Sequence, residues 1–283
     1  MNRLLSANFM RLKKYKPFWG CVIFMAVQAA SLPIIQYNKI KEMNEAGGQV
    51  FETVLDNQLF VFVMFIGLVA SVFCGLFLGT EHSDGTIRNK VVVGHKRSSI
   101  YFANLTVSVA GSLAICAAFV IPYLAVGYPL LGGFHTEIKQ ILLLGLAGLM
   151  VAVVFASLFT LIAMVSHNKA VIAVACILLA VVSMFGGQYI ESRLNAPEMW
   201  ESYSYTTDQG QVIERPAEKN PMYLEGAERE VYEFLHDFLP GDQQQQIGTM
   251  KVENPITLMG YSAGLAVVAT GVGICLFKRK NLR

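Results

Sequence analysis

From Asn57 to Thr80 the chain reads NQLFVFVMFIGLVASVFCGLFLGT, 24 residues without one Asp, Glu, Lys or Arg. A helix needs about 20 apolar residues to cross the hydrocarbon layer of a bilayer. A helix apolar on every side belongs either to the core of a large protein or to a membrane. Five further stretches share this character: Pro17–Tyr37, Ser98–Thr136, Gln140–Ser166, Ala170–Ile190 and Asn254–Phe277. One core could not absorb six such helices in 283 residues, so they are read as membrane spans. Ser98–Thr136 is too long for one straight span, and Pro122 and Pro129 are expected to bound it. That places its helix near Ala103–Val126, with a short apolar lip after it. The first span is not a cleavable signal peptide, because its apolar run is too long and no A-x-A-like site follows.

The composition agrees. Hydrophobic residues make up 54 % of the chain and charged residues 15 %, against roughly 25 % charged in ordinary soluble proteins. Mean hydropathy is +0.48. This excludes a disordered chain, a collagen-like fold and a disulfide-stapled fold. The five cysteines (Cys21, Cys74, Cys116, Cys176 and Cys275) all fall inside spans, with no CxxC, and are expected to pack as small hydrophobes.

The charges sort by side. The first 16 residues, the loop after the second span, the turn His167-Asn168-Lys169 and the tail hold fourteen of the 22 basic residues and two of the 20 acids. The remaining loops hold eight bases and eighteen acids. An even number of spans puts both termini on one face, and the excess of Lys and Arg marks it as cytoplasmic.

The expected fold is an all-α integral membrane protein with six transmembrane helices. Residues 1–16 form a cytoplasmic amphipathic helix lying in the interface, with Leu5, Phe9 and Leu12 on one face and Arg3, Arg11 and Lys14 on the other. Residues 17–190 hold spans one to five and a cytoplasmic loop at 81–101. Loop one, Asn38–Asp56, is expected to extend its flanking helices. Residues 191–253 form a small mixed extracellular element. Residues 254–277 are the sixth span, and 278–283 a basic cytoplasmic tail. In the extracellular element, Tyr203–Thr207 and Gln211-Val212-Ile213 flank the turn Asp208-Gln209-Gly210 and predict a hairpin. Leu224, Ala227, Val231, Phe234, Leu235 and Phe238 recur at helical spacing, and Pro240-Gly241 is expected to stop that helix. A piece this small is expected to pack on the outer ends of the spans.

Gly67, Ser71, Gly75 and Gly79 repeat every four residues in span two, and Gly260 and Gly264 form GxxxG in span six. Small residues at this spacing let backbones approach closely. The run in span two therefore predicts a tightly packed or dimer-facing helix.

Catalytic signatures do not assemble. The five histidines show no metal-ligand spacing, H-E-x-x-H is missing, and Gly94-His95-Lys96-Arg97-Ser98 lacks the first glycine of a Walker A loop. The chain is therefore not expected to be an enzyme or to hydrolyse ATP by itself. No ionisable residue lies inside a span, which weakens a secondary-carrier reading.

The most informative loop is Glu81–Tyr101. Asp84 or Thr86 is placed to cap a short helix over Thr86–Val93, which would expose Ile87, Val91 and Val92 together. Apolar residues at a membrane's cytoplasmic face, rimmed by charge, make a docking surface.

Here the chain resembles the type-2 permease family of ABC exporters. Glu81 matches the acid that ends span two in that family. Gly85-Thr86-Ile87-Arg88 matches its Gly-Thr-apolar-basic stretch, and Gly94, Arg97-Ser98 and Ile100-Tyr101 match the motif before span three. The overall plan matches too. The resemblance implies a membrane subunit without its motor, pairing as a homo- or heterodimer with two cytosolic ABC ATPase subunits. The permease binds no cofactor, and ATP and Mg belong to the partner. The ATPase-docking coupling helix would comprise Glu81, Asp84, Gly85, Thr86, Ile87, Arg88, Asn89 and Lys90, and the turn His167, Asn168 and Lys169 would be a second contact. Relatives of this size in Gram-positive bacteria often export peptide antibiotics or other amphipathic compounds, so the implied location is a bacterial plasma membrane. An ATP-independent channel or carrier, or a sensor using the acidic ectodomain, stays open as an alternative. Nucleic acid is not expected as a partner.

Overall fold

The computed structural model describes residues 1–45, 54–206 and 212–280. It is an all-α membrane protein. Among the described residues, six helices are long and apolar enough to span: α2 (Lys16–Glu45), α3 (Val61–Ser83, after a 3-10 turn at Asp56–Gln58), α5 (Arg97–Leu131), α6 (Ile138–Val165), α7 (Lys169–Leu194) and α10 (Pro255–Arg279). The remaining elements are α1 (Asn2–Lys14), α4 (Thr86–Val92), β1 (Met199–Trp200), β2 (Tyr203–Thr206), β3 (Val212–Arg215), β4 (Glu218–Lys219), α8 (Gly226–Phe238) and α9 (Pro240–Gly248).

α3 is the hub. In its most apolar window 67 % of residues are buried within the protein, against 22–50 % for the other five spans. Its Phe62, Phe73 and Phe77 are fully buried. Phe73 tilts against both Phe18 and Phe77, and its ring fills the space left open by Gly111 on α5. Large side chains thus fit against small ones on facing helices, which replaces a hydrophobic driving force inside lipid.

α5 differs from expectation, because Pro122 and Pro129 do not end it. The helix runs unbroken through both. In lipid a broken helix exposes several unsatisfied backbone groups, whereas each proline forfeits one donor, so continuation costs less. The far end of α5 is pinned instead by side chains. The Tyr123 hydroxyl donates to the Leu55 carbonyl at 2.7 Å, and the buried Asp56 accepts from the Thr136 and His135 amides at 2.7 and 3.1 Å.

α1, α4, the α6–α7 turn and the C-terminal end of α10 meet at one end of the bundle, its basic end. The other end carries the segment between α7 and α10. α2 runs on as helix to Glu45, so the first acidic loop begins as an extension of its span. Residues 46–53, with Glu52, lie outside the described residues. β2 pairs antiparallel with β3, from Tyr203↔Arg215 to Thr206↔Val212; the turn Asp208-Gln209-Gly210 lies outside the described residues. α8 is amphipathic, yet it contains no buried residue. Phe234 and Phe238 stack on each other and meet Tyr261 of α10 edge-on, while Val231 and Phe234 keep about half their surface exposed.

Pro240-Gly241 does not end the helical region. Pro240 takes the first position of a new helix, where its missing N–H costs nothing. α9 turns back against α3, α6 and α7, with Gln243 reaching α10, and every residue from Pro240 to Gly248 is buried. The backbone of Gly241 lies directly against that of Ser183 and Gly187 on α7, an approach no side chain would permit. Four consecutive glutamines are buried here, and the side-chain amides of three of them find partners. Gln243 Nε2 donates to Asp237 O at 2.7 Å and its Oε1 accepts from Ser262 at 2.6 Å. Gln244 Nε2 donates to Val63 O at 2.6 Å, and Gln246 Nε2 to His236 O at 2.8 Å.

Candidate functional site

The basic end is organised around Glu81. This carboxylate ends α3, and none of its side chain is exposed. An isolated buried charge is untenable, and three neighbours answer it directly, with Asn8 bracing two of them. Arg11 Nη1 lies 2.7 Å from Oε1, and Lys90 Nζ 2.5 Å from the same atom. Asn104 Nδ2 donates to Oε2 at 2.7 Å. Asn8 Nδ2 donates to Asn104 Oδ1 at 2.6 Å, while Asn8 Oδ1 accepts from Lys90 at 3.0 Å. One carboxylate therefore joins α1, α3, α4 and α5. The Arg11 guanidinium also lies 3.8 Å from the centroid of the Phe77 ring, a cation–π arrangement. Burial lowers the pKa of both Arg11 and Lys90, and the Glu81 charge opposes that shift.

The face of α1 therefore differs from the periodicity reading. The buried stripe is Leu4, Asn8 and Leu12; Leu5 and Phe9 are half-buried, and Arg11 turns in to Glu81 instead of lying on the solvent face. Two of the side chains that dock α1, Asn8 and Arg11, are polar, so apolar periodicity alone does not find them.

α4 is set by its two glycines. Gly85 adopts φ 65° and Gly94 φ 93°, conformations that glycine alone takes freely. The first lets the chain reverse at the end of α3, and the second closes α4 with His95 N donating to Lys90 O at 3.1 Å. Neither Asp84 nor Thr86 caps the helix; its N-cap is Gly85, with no side-chain hydrogen bond. Ile87 is also placed differently from expectation. It is 2 % exposed, in a small core with Leu4, Ile100, Tyr101, Ala103, Met164 and Phe277. Ile87 and Lys90 stand on the inner side of α4, and Val91 is half-buried. The outer side presents Arg88 and Asn89, followed by Val92 and Val93, each valine 77 % exposed.

The α6–α7 turn lies beside α4. Asn168 caps α7 by accepting from the Ala170 amide at 2.8 Å, and His167 and Lys169 are exposed. A polar pocket of about 220 Å³ is lined by Glu81, His82, Ser83, Gly85, Ile87, Arg88 and His167. The two sequence-predicted contacts thus share one surface.

The small residues divide. Gly67 faces the Gln244 amide and the Phe155 ring, Gly75 faces Ala173 and Cys176, and Gly79 faces Lys169. The Ser71 hydroxyl donates back to Leu68 O at 2.7 Å. The span-two run therefore packs on α7 and α9 of its own chain. Gly260 and Gly264 open on the outside of α10, with no neighbour within 4 Å. Among the described residues, no group of His, Cys, Asp and Glu could hold a metal ion. Four of the five cysteines are buried, and all five are free thiols. α9 is the element that sequence reasoning missed. Its one signal is Pro240 at a helix start, followed by an almost charge-free run of glutamines.

Compared with known families, residues 4–187 match the model described as ABC-2 family transporter protein. The match runs from α1 through α7 and includes the Glu81 cluster, α4 and the α6–α7 turn. No curated protein matches the chain.

Proposed function

The chain belongs to the ABC-2 transporter family, the membrane component of ABC transporters, and on that premise we propose that it is one half of an ATP-driven exporter. Its partners are two cytosolic ATPase subunits, which hold ATP and Mg, and a second permease chain. The basic end faces the cytoplasm, and α4 is the coupling helix, with the turn His167–Lys169 as a second contact. The cargo is an amphipathic compound such as a peptide, and the membrane is a bacterial plasma membrane.

One observation carries this reading. α4 is a helix of seven residues, fastened from beneath by Glu81–Lys90 and Ile87, that leaves Arg88, Asn89, Val92 and Val93 free on the outside. A fastened helix transmits displacement, whereas a loose loop absorbs it. Among the described residues the two exposed valines belong to no apolar core, and a partially apolar surface rimmed by charge favours a protein partner.

The test is a Val92→Asp/Val93→Asp double variant. Both side chains lie outside the core, so membrane insertion is expected to persist. Co-purification of the ATPase should fall about tenfold or more, because two desolvated contacts become two buried charges. Wild-type ATPase recovery with this variant would remove α4 from the docking surface.

A further inference from the structure

Lys280 stands one residue beyond α10. Its ammonium donates to Met164 O at 3.0 Å and to Ser166 O at 2.6 Å. These carbonyls close α6, where no later helical N–H is available to pair with them. A cation at a helix C-terminus also meets the negative end of the helix dipole. Lys280 is half-buried, and burial pushes its pKa down to about 8. The end of α10 is held in turn. Arg97 Nη1, at the start of α5, donates to Phe277 O at 3.1 Å and to Lys278 O at 2.9 Å. Arg97 caps α10, and Lys280 of the α10 terminus caps α6.

The turn His167–Lys169 begins directly after Ser166. On its other side Lys169 rests on Gly79 of α3, where an added Cβ would stand 3.1 Å from the Lys169 Cγ. The turn is therefore gripped from both sides, by Lys280 and by the bare backbone of α3. His167 completes the wall of the pocket next to Arg88 of α4. The neighbouring Lys278 and Arg279 are exposed and serve as internal comparisons.

We propose that Lys280 is a positioning residue for motor coupling: bound to the two terminal carbonyls of α6, it fixes the His167–Lys169 turn beside α4 and ties that turn to α10. The inference rests on the reading of this end as the ATPase-docking surface. A mobile turn would leave the second contact unable to push on the spans, even with α4 engaged.

The experiment uses the full chain with its ATPase in vesicles and compares Lys280→Met, Lys280→Arg and Lys278→Met. Lys280→Met is expected to insert and to retain the ATPase through α4, while cargo-stimulated ATP hydrolysis falls about tenfold. Lys280→Arg should recover most of that loss, because a guanidinium can also donate to two carbonyls. Lys278→Met should resemble wild type, although it removes the same charge. A second readout is independent of the motor. A cysteine at position 168 (Asn168→Cys) should react several-fold faster with an impermeant maleimide when Lys280→Met is also present. Normal stimulation in Lys280→Met, or an equal loss in Lys278→Met, would overturn the positioning role. An unchanged maleimide rate would overturn it as well. If the wild-type chain recovers no ATPase, the docking reading itself falls, and the maleimide rates then decide whether the clasp orders the turn.

Discussion

Glu81 is a buried carboxylate facing two cations from two different elements, with Asn104 and Asn8 completing the ring of hydrogen bonds. Such a cluster is fragile to the loss of one partner, because the groups left behind are buried and unpaired. Glu81→Gln keeps the shape and removes the charge, leaving Arg11 and Lys90 to repel each other. The expected cost is about 3–5 kcal/mol, located at the docking of α1 and α4. Trypsin added to the face carrying α4 should then cleave at Arg11 or Lys90 much faster than in wild type; equal resistance would show that the carboxylate does not fasten these helices. The position of Glu81 at a span's end is legible in the sequence, because it is the first charge after 24 residues without one. The Arg11 partnership is not legible. Arginine carries its charge on a long stem and can stand on a polar face while its head turns inward. Pairing across 70 positions leaves no local pattern.

At the scale of elements, the extent of α4 was nearly complete in the sequence, although the capping residue is Gly85, in a left-handed conformation, and not Asp84 or Thr86. Its inner and outer sides were not, since a seven-residue helix has too few residues for apolar periodicity to choose a face. α9 was hidden for the opposite reason. Glutamines read as solvent-facing, and only tertiary partners make their burial tolerable. The junction of α8 and α9 also carries a pH dependence. His236 Nδ1 lies 2.9 Å from Asp242 Oδ1. Burial works against the imidazolium, but the Asp242 hydrogen bond and charge outweigh it and raise the His236 pKa; Asp237 and Glu191 add in the same direction. A pKa raised on folding contributes stability below the unfolded value, about 6.5, and that stability is lost as pH rises through the folded value. The unfolding midpoint should therefore be higher at pH 6 than at pH 8, by on the order of 1–3 °C. The difference should shrink in His236→Gln, and an undiminished difference would assign the pH dependence to other groups.

Over the whole molecule the fold was legible because lipid imposes a simple rule. Six stretches without formal charge became six helices, and the boundaries moved only where proline or loop residues could continue a helix. The segregation of charge was legible in the same way, with fourteen bases and two acids assigned to one side and eight bases and eighteen acids to the other. The structure brings α1, α4, the α6–α7 turn and the end of α10 to one end, so the sequence-level sorting corresponds to one physical surface. α10 joins the two ends. Ser262 binds Gln243 of α9 near one end, and Lys280 binds α6 at the other. The excess of Lys and Arg implies that the basic end faces the cytoplasm, which would put α9 on the outer side. Two single-cysteine additions test this polarity. Ser202 is exposed beside β2, and Asn89 is exposed on α4. In intact cells an impermeant maleimide should label Ser202→Cys and leave Asn89→Cys untouched, with the reverse pattern in inside-out vesicles. Labelling of Asn89→Cys in intact cells would invert the molecule and place the α4 surface beyond reach of any cytosolic ATPase.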